Sequence, residues 1–157
     1  MHYYFEDSIN TETVNNLVEK LEGQEEINLW FTTNGGEISA MKFLIDFLNS
    51  MEDKITVTLT DRLVSAGALL LTEYKGKLKI RDLDFMLFHK IDIEGYSLRK
   101  EYEPDHKILV KQCEEDNKIF AKNLEKIGLT KKQINKFNKG KDVVLYQKDF
   151  KRLKVNR

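Results

Sequence analysis

Strand-period and helix-period segments alternate along the first two thirds of the chain, and this alternation restricts the fold more than any other feature. Tyr3–Phe5 reads as a short aromatic strand. Asn10 or Thr11 caps a helix running to about Glu22, with Val14, Leu17, Val18 and Leu21 on one face and Gly23 at its end. Ile27–Phe31 is a strand, followed by the turn Thr32-Thr33-Asn34-Gly35-Gly36. From about Ile38 to Met51, apolar residues recur at helical spacing: Ile38, Met41, Leu44, Ile45 and Leu48. Ile55–Thr60 alternates and is β-branched, as a strand should be. A loop through Asp61 and Arg62 then leads to an apolar helix of about two turns that opens at Ser65 and exits at Gly76. Lys77–Ile80 and Phe85–Phe88 read as two further strands. Such alternation predicts an α/β fold with a largely parallel sheet.

The remainder is more helical. Lys90 to Pro104, with Gly95, is the longest connection, and Pro104 and Asp105 open a long helix to Ile127. Gly128 stops that helix. Thr130 with Gln133 fits a capping box for a short helix to about Phe137. Asp142–Leu145 is a last strand before a basic tail. No repeat, linker or low-complexity block interrupts the 157 residues, so a single domain spanning 1–157 is expected.

Charge and cysteine content remove several function classes. Lys+Arg and Asp+Glu each number 26, so the net charge is zero and the basic excess of a nucleic-acid binder is missing. A chain without net charge also lacks the self-repulsion that opposes association. The single cysteine, Cys113, permits no intrachain disulfide. The first residues carry no basic, apolar signal-peptide pattern, and the run Ala66–Leu71 is too short to span a bilayer. The expected location is cytoplasmic, without membrane association. Carboxylates such as Glu101, Glu103 and Asp105 show no metal-ligand spacing, so no metal or cofactor is expected. Cys113 and His106 share a face of the long helix, where a buried structural cysteine outweighs a nucleophile pair.

Three segments carry the chemistry. In Asn34-Gly35-Gly36, between a strand and a helix, glycines let the backbone approach a ligand and turn N–H groups toward an extended substrate or an oxyanion. In Val64-Ser65-Ala66-Gly67-Ala68, Ser65 sits where a strand gives way to a helix. There its hydroxyl is presented at the sheet edge, and the Ala66 N–H can donate to an oxyanion. Met86-Leu87-Phe88-His89 is an apolar strand ending in a histidine, which suits a fixed general base. Taken singly, each has a plainer explanation: a tight turn, a helix N-cap and a surface histidine.

The order Gly-Gly, then Ser-x-Gly-Ala about thirty residues on, then His about two dozen later, resembles the Clp protease proteolytic subunit (ClpP) family. The corresponding family segments are Asn-Ser-Pro-Gly-Gly, Ala-Ser-Met-Gly-Ala and Met-Ile-His. The likeness extends to Ser8–Thr13 before the first helix, to Lys75-Gly76-Lys77, and to Gly95 with the long helix after Pro104, similar to the family's inter-ring handle. The resemblance implies a crotonase-like spiral of ββα units with a long protruding helix. It implies that Ser65 attacks a peptide carbonyl, that His89 accepts the proton, and that the N–H groups of Gly36 and Ala66, with Gly35 beside them, bind the oxyanion and substrate. It implies a serine endopeptidase acting on peptides or unfolded proteins inside a homo-oligomeric ring, fed by an AAA+ unfoldase. The short stretch before Tyr3 leaves little room for axial loops, so coupling to such an unfoldase is expected to be weak.

The pattern departs from the family in three places, one being Asn34 where the family has the proline before the glycines. The third catalytic residue of the family is an aspartate, and alignment puts Phe137 or Asn138 at its position. Asn138 is the first candidate to orient His89, Asp142 the second, and Phe137 would mean no third member. Leu63 and Val64 are bulkier than the family's residues before the nucleophile, and Asp61 and Arg62 replace Gly-Gln. These departures motivate two alternatives: a catalytically impaired ring subunit of the same fold, and another crotonase-fold enzyme in which Gly36 and Ala66 hold a thioester enolate.

Overall fold

The computed structural model describes residues 1–92 and 106–155, with only the backbone described for His106. Among these residues the elements are β1 (His2–Glu6), α1 (Thr11–Leu21), β2 (Ile27–Thr33), α2 (Ile38–Ser50) and β3 (Ile55–Val64). A 3-10 turn (Ser65–Ala68) then runs into α3 (Leu69–Glu73). After it come β4 (Lys77–Phe88), α4 (His106–Lys126), α5 (Lys131–Asn138), β5 (Val143–Tyr146) and α6 (Gln147–Phe150). The strands make one five-stranded sheet in the order β1-β2-β3-β4-β5. The first four are parallel, and β5 adds antiparallel to β4. Parallel neighbours need a crossover, which α1, α2 and the turn with α3 supply. The connection around Gly95 and the helix start at Pro104 and Asp105 lie outside the described residues.

Local chemistry accounts for the helix ends. Asn10 caps α1 by accepting from Thr13 N at 2.9 Å, and Thr130 and Gln133 form the capping box of α5. On α1, Val14, Leu17, Val18 and Leu21 are buried, the stripe that the helical period marks. In β2, Ile27, Leu29 and Phe31 are buried while Asn28 and Trp30 are half-buried. Phe31 stacks on Phe5 at 4.8 Å within one connected apolar core. Each side chain of this size contributes roughly 1.5–3 kcal/mol when fully buried.

Two expectations for the sheet are corrected. Asp61 and Arg62 are not in a loop: β3 runs through them to Val64. Pairing with β4 shifts register around Asp61, which adopts a positive φ of 57°. The Thr32 hydroxyl stands in for a ladder partner there. It donates to the Arg62 carbonyl at 3.0 Å and accepts from the Arg62 N–H at 3.2 Å. Likewise Lys77–Ile80 and Phe85–Phe88 are two halves of one strand, β4, with Asp82 at φ 52° between them. The charged run Arg81-Asp82-Leu83-Asp84 looks like a turn in sequence, but it stays paired because a bulge absorbs the irregularity. The basic tail is also partly structured: Phe150 and Leu153 are buried, and Lys154 N donates to the Ile127 carbonyl at 2.8 Å. No helix among the described residues is long and apolar enough to cross a membrane.

Candidate active site

Ser65 stands where β3 ends and the 3-10 turn begins. Its φ is 55°, a left-handed conformation that costs a non-glycine residue energy and is kept only where the surroundings enforce it. The following helix is short, but its first N–H groups, Ala66 among them, have no acceptor within it. Leu63 is fully buried on β3, and neither Leu63 nor Val64 lines the cavity in front of Ser65. Arg62 pairs with Asp61 and donates from Nε to Asn34 Oδ1 at 2.5 Å, so these two charges hold each other and the glycine turn.

The glycine turn is pressed against the serine. Gly35 has φ 94°, and a Cβ on it would lie 2.6 Å from Ser65 Cβ. Gly36 has φ 148°, and its Cβ would fall on the Ile9 carbonyl. Side chains are thus excluded at both positions. Ile9 N donates to Gly35 O at 2.9 Å, and Glu37 N donates to Ile9 O at 2.8 Å. In a parallel bridge of this kind the amide of the intervening residue faces away from the partner, so the Gly36 N–H and C=O are directed away from Ile9.

His89 follows the last residue of β4 and is half-buried. Its Nδ1 lies 2.8 Å from the carbonyl oxygen of Lys90. A carbonyl only accepts, so Nδ1 carries a proton, and in the neutral ring Nε2 then keeps the lone pair. This is the tautomer a general base needs.

Ser65, Ala66, Gly36 and His89 line one cavity of about 390 Å³. Its apolar wall includes Ile38, Leu69, Ile91 and Phe120, and two carboxylates, Glu37 and Asp92, also line it. The arrangement brings a hydroxyl, an imidazole and two backbone donor positions to a cleft with an apolar wall. The Ser65 hydroxyl makes no hydrogen bond among the described residues. Asn138 is exposed at the end of α5 and does not line the cavity, so the group held on His89 Nδ1 is a backbone carbonyl and not this amide. Asp142 is exposed one residue before Val143, which pairs with Phe88, and it does not line the cavity either. Phe137 is fully buried, edge-on to Phe120 at 5.5 Å, and so supports the cavity wall from behind.

Two further cavities are lined by charged side chains. A cavity of about 720 Å³ is lined by Trp30, Lys79, Arg81 and Phe150 among others, and neither Ser65 nor His89 lines it. A third, of about 340 Å³, shares Leu69, Ile91 and Phe120 with the Ser65 cavity and contains Lys42, Asp46, Glu73 and Asp116. Lys42 Nζ bonds Asp116 at 2.9 Å. Burial pushes the Glu73 carboxyl above its ordinary range; Lys42 opposes this, and Asp116 and Asp46 add to it. Burial, then Asp92 and Asp116, push the Cys113 thiol up, which disfavours the thiolate. Among the described residues no group of three or more His, Cys, Asp or Glu is placed to hold a metal ion.

No protein-family model matches the chain, and no curated protein matches it. Among the polar residues at the site, sequence reasoning missed Asn10, Glu37 and Asp92 on the cavity wall and the Lys90 carbonyl on His89. Asn10 had a sufficient explanation as a helix cap, Glu37 precedes α2 without capping it, and Asp92 was one charge in a long connection.

Proposed function

We propose that this chain is a ClpP-like serine endopeptidase subunit with a crotonase-like spiral fold, and that it works in a homo-oligomeric ring. The observation that carries the proposal is the convergence of Ser65, His89, Gly36 and Ala66 on one cavity, with Gly35 packed on the serine. In this mechanism Ser65 Oγ attacks the carbonyl carbon of a peptide bond while His89 Nε2 takes its proton. The Gly36 and Ala66 N–H groups stabilise the oxyanion. The C–N bond then breaks, and His89 returns the proton to the leaving amine. Water, activated by the same nitrogen, releases the acyl group from Ser65. The Lys90 carbonyl orients His89 as an aspartate does elsewhere, but without its negative charge it stabilises the imidazolium less. Substrates are peptides or unfolded proteins with an apolar side chain for the pocket, and coupling of the ring to an AAA+ unfoldase is weak or absent.

One observation favours a second reading, a ring subunit of the same fold without peptidase activity: Ser65 and His89 share the cavity without a hydrogen bond between them. Hydrogen bonds of this kind often tighten only when substrate is bound, so labelling decides between the two. A fluorophosphonate should label the assembled protein at Ser65 and leave Ser65→Ala unlabelled. Absence of label in an assembly of verified integrity, alongside a control peptidase that labels, overturns the peptidase reading in favour of the second.

A further inference from the structure

Beyond Phe88, the last residue of β4 paired with β5, the chain leaves the sheet, so His89, Lys90 and Ile91 have no ladder to hold them. α4 supplies a substitute. Asn117 Oδ1 accepts from Ile91 N at 2.8 Å, and Asn117 Nδ2 donates to Ile91 O at 2.8 Å. One side-chain amide thus completes both backbone positions of Ile91, as a neighbouring strand would. A carboxylate can only accept and an alkyl group does neither, so the amide alone serves both. The helix bearing it is itself fastened to the body. Lys42 Nζ bonds Asp116, whose other oxygen accepts from Gln112 Nε2 at 3.0 Å, and Phe120 packs into the wall of the Ser65 cavity. The Lys90 peptide therefore lies between two fixed points, the end of β4 and the Asn117 clamp, and its carbonyl is the group on His89 Nδ1.

We infer that Asn117 is a positioning residue: by clamping Ile91 it fixes the Lys90 carbonyl on His89 and holds the imidazole with its proton on Nδ1 and its lone pair on Nε2. Its catalytic consequence rests on the peptidase reading above; its effect on the tautomer does not. A neutral histidine side chain in water favours the proton on Nε2, so the Nδ1–H form reports the clamp directly. Which nitrogen is protonated follows from the hydrogen bond the other makes.

The test is magic-angle-spinning nitrogen NMR of sedimented full-length protein with labelled histidine, at a pH where imidazole is neutral. It applies at any assembly size, and the chain has only 3 histidines. His2→Gln and His106→Gln assign the signals. The parent should show His89 protonated at Nδ1, and Asn117→Leu should move it to the Nε2–H form or a mixture. Asn117→Asp, which preserves the volume and removes the donor, should do the same and replaces the Leu variant if that one does not fold. In peptide hydrolysis, kcat should fall about 10–100-fold with KM nearly unchanged, the mark of a misplaced base in an intact pocket. The inference is overturned if the parent His89 is already Nε2–H, or if folded variants keep the Nδ1–H form. If the parent resists fluorophosphonate yet the tautomer moves as expected, the peptidase reading fails and the clamp stands.

Discussion

At the scale of single residues the site is built from conformations that most sequences avoid. Ser65 is held at φ 55°, which costs about 1–3 kcal/mol and must be enforced by its neighbours. Gly35 and Gly36 approach backbone so closely that no side chain fits. Near the site, Glu73 is a carboxyl whose ionisation burial resists. Its folded pKa lies above the reference of 4.5, so between these values the native state binds more protons than the unfolded chain. Its contribution to stability therefore declines as pH rises through that window. Glu73→Gln should raise the melting temperature at pH 7, with the gain shrinking toward pH 4.5. Thermal melts across this range check it, and equal shifts at both ends would falsify the assignment.

At the scale of elements, α5 shows how a local signal supports a distant wall. Its capping box, Thr130 with Gln133, starts the helix that carries Phe137 into the core against Phe120. Thr130→Ala should cost about 1 kcal/mol through the lost cap. In a chain of this size that is a fall in melting temperature of roughly 2–4 °C. Calorimetry of the variant measures it, and an unchanged melting point would mean that the cap is dispensable. The bulges in β3 and β4 are the other lesson at this scale. They let strands of 10 and 12 residues remain paired past charged, irregular segments, and they deliver Ser65 and His89 to the same end of the sheet.

For the whole molecule, core and site are continuous. Phe88, Phe120 and Phe137 form an aromatic chain from β4 through α4 to α5, and Phe120 is also a wall of the Ser65 cavity. Phe137→Ala should therefore cost about 3–5 kcal/mol in denaturant unfolding. It should also loosen the pocket, raising KM for substrates with a large apolar side chain more than for small ones. A variant as stable as the parent, or one without this selectivity change, would separate the core from the site.

The sequence by itself determined the α/β class, the capping box at Thr130, the apolar stripes, and a first helix cap at Asn10 or Thr11, between which the structure selects Asn10; it also singled out the turn, the serine and the histidine. These are legible because propensity, capping and periodicity act over a few neighbouring residues. Only the tertiary structure decided the continuity of β4, the strand conformation of Asp61 and Arg62, the exposure of Asn138, and the partner of His89 Nδ1. Arg62 and Ile91 are held by hydrogen bonds from distant residues, Thr32 and Asn117, for which composition and spacing carry no signal. Lys90 O illustrates the limit most sharply. Any residue supplies a carbonyl, so no side-chain pattern announces that this one orients the histidine.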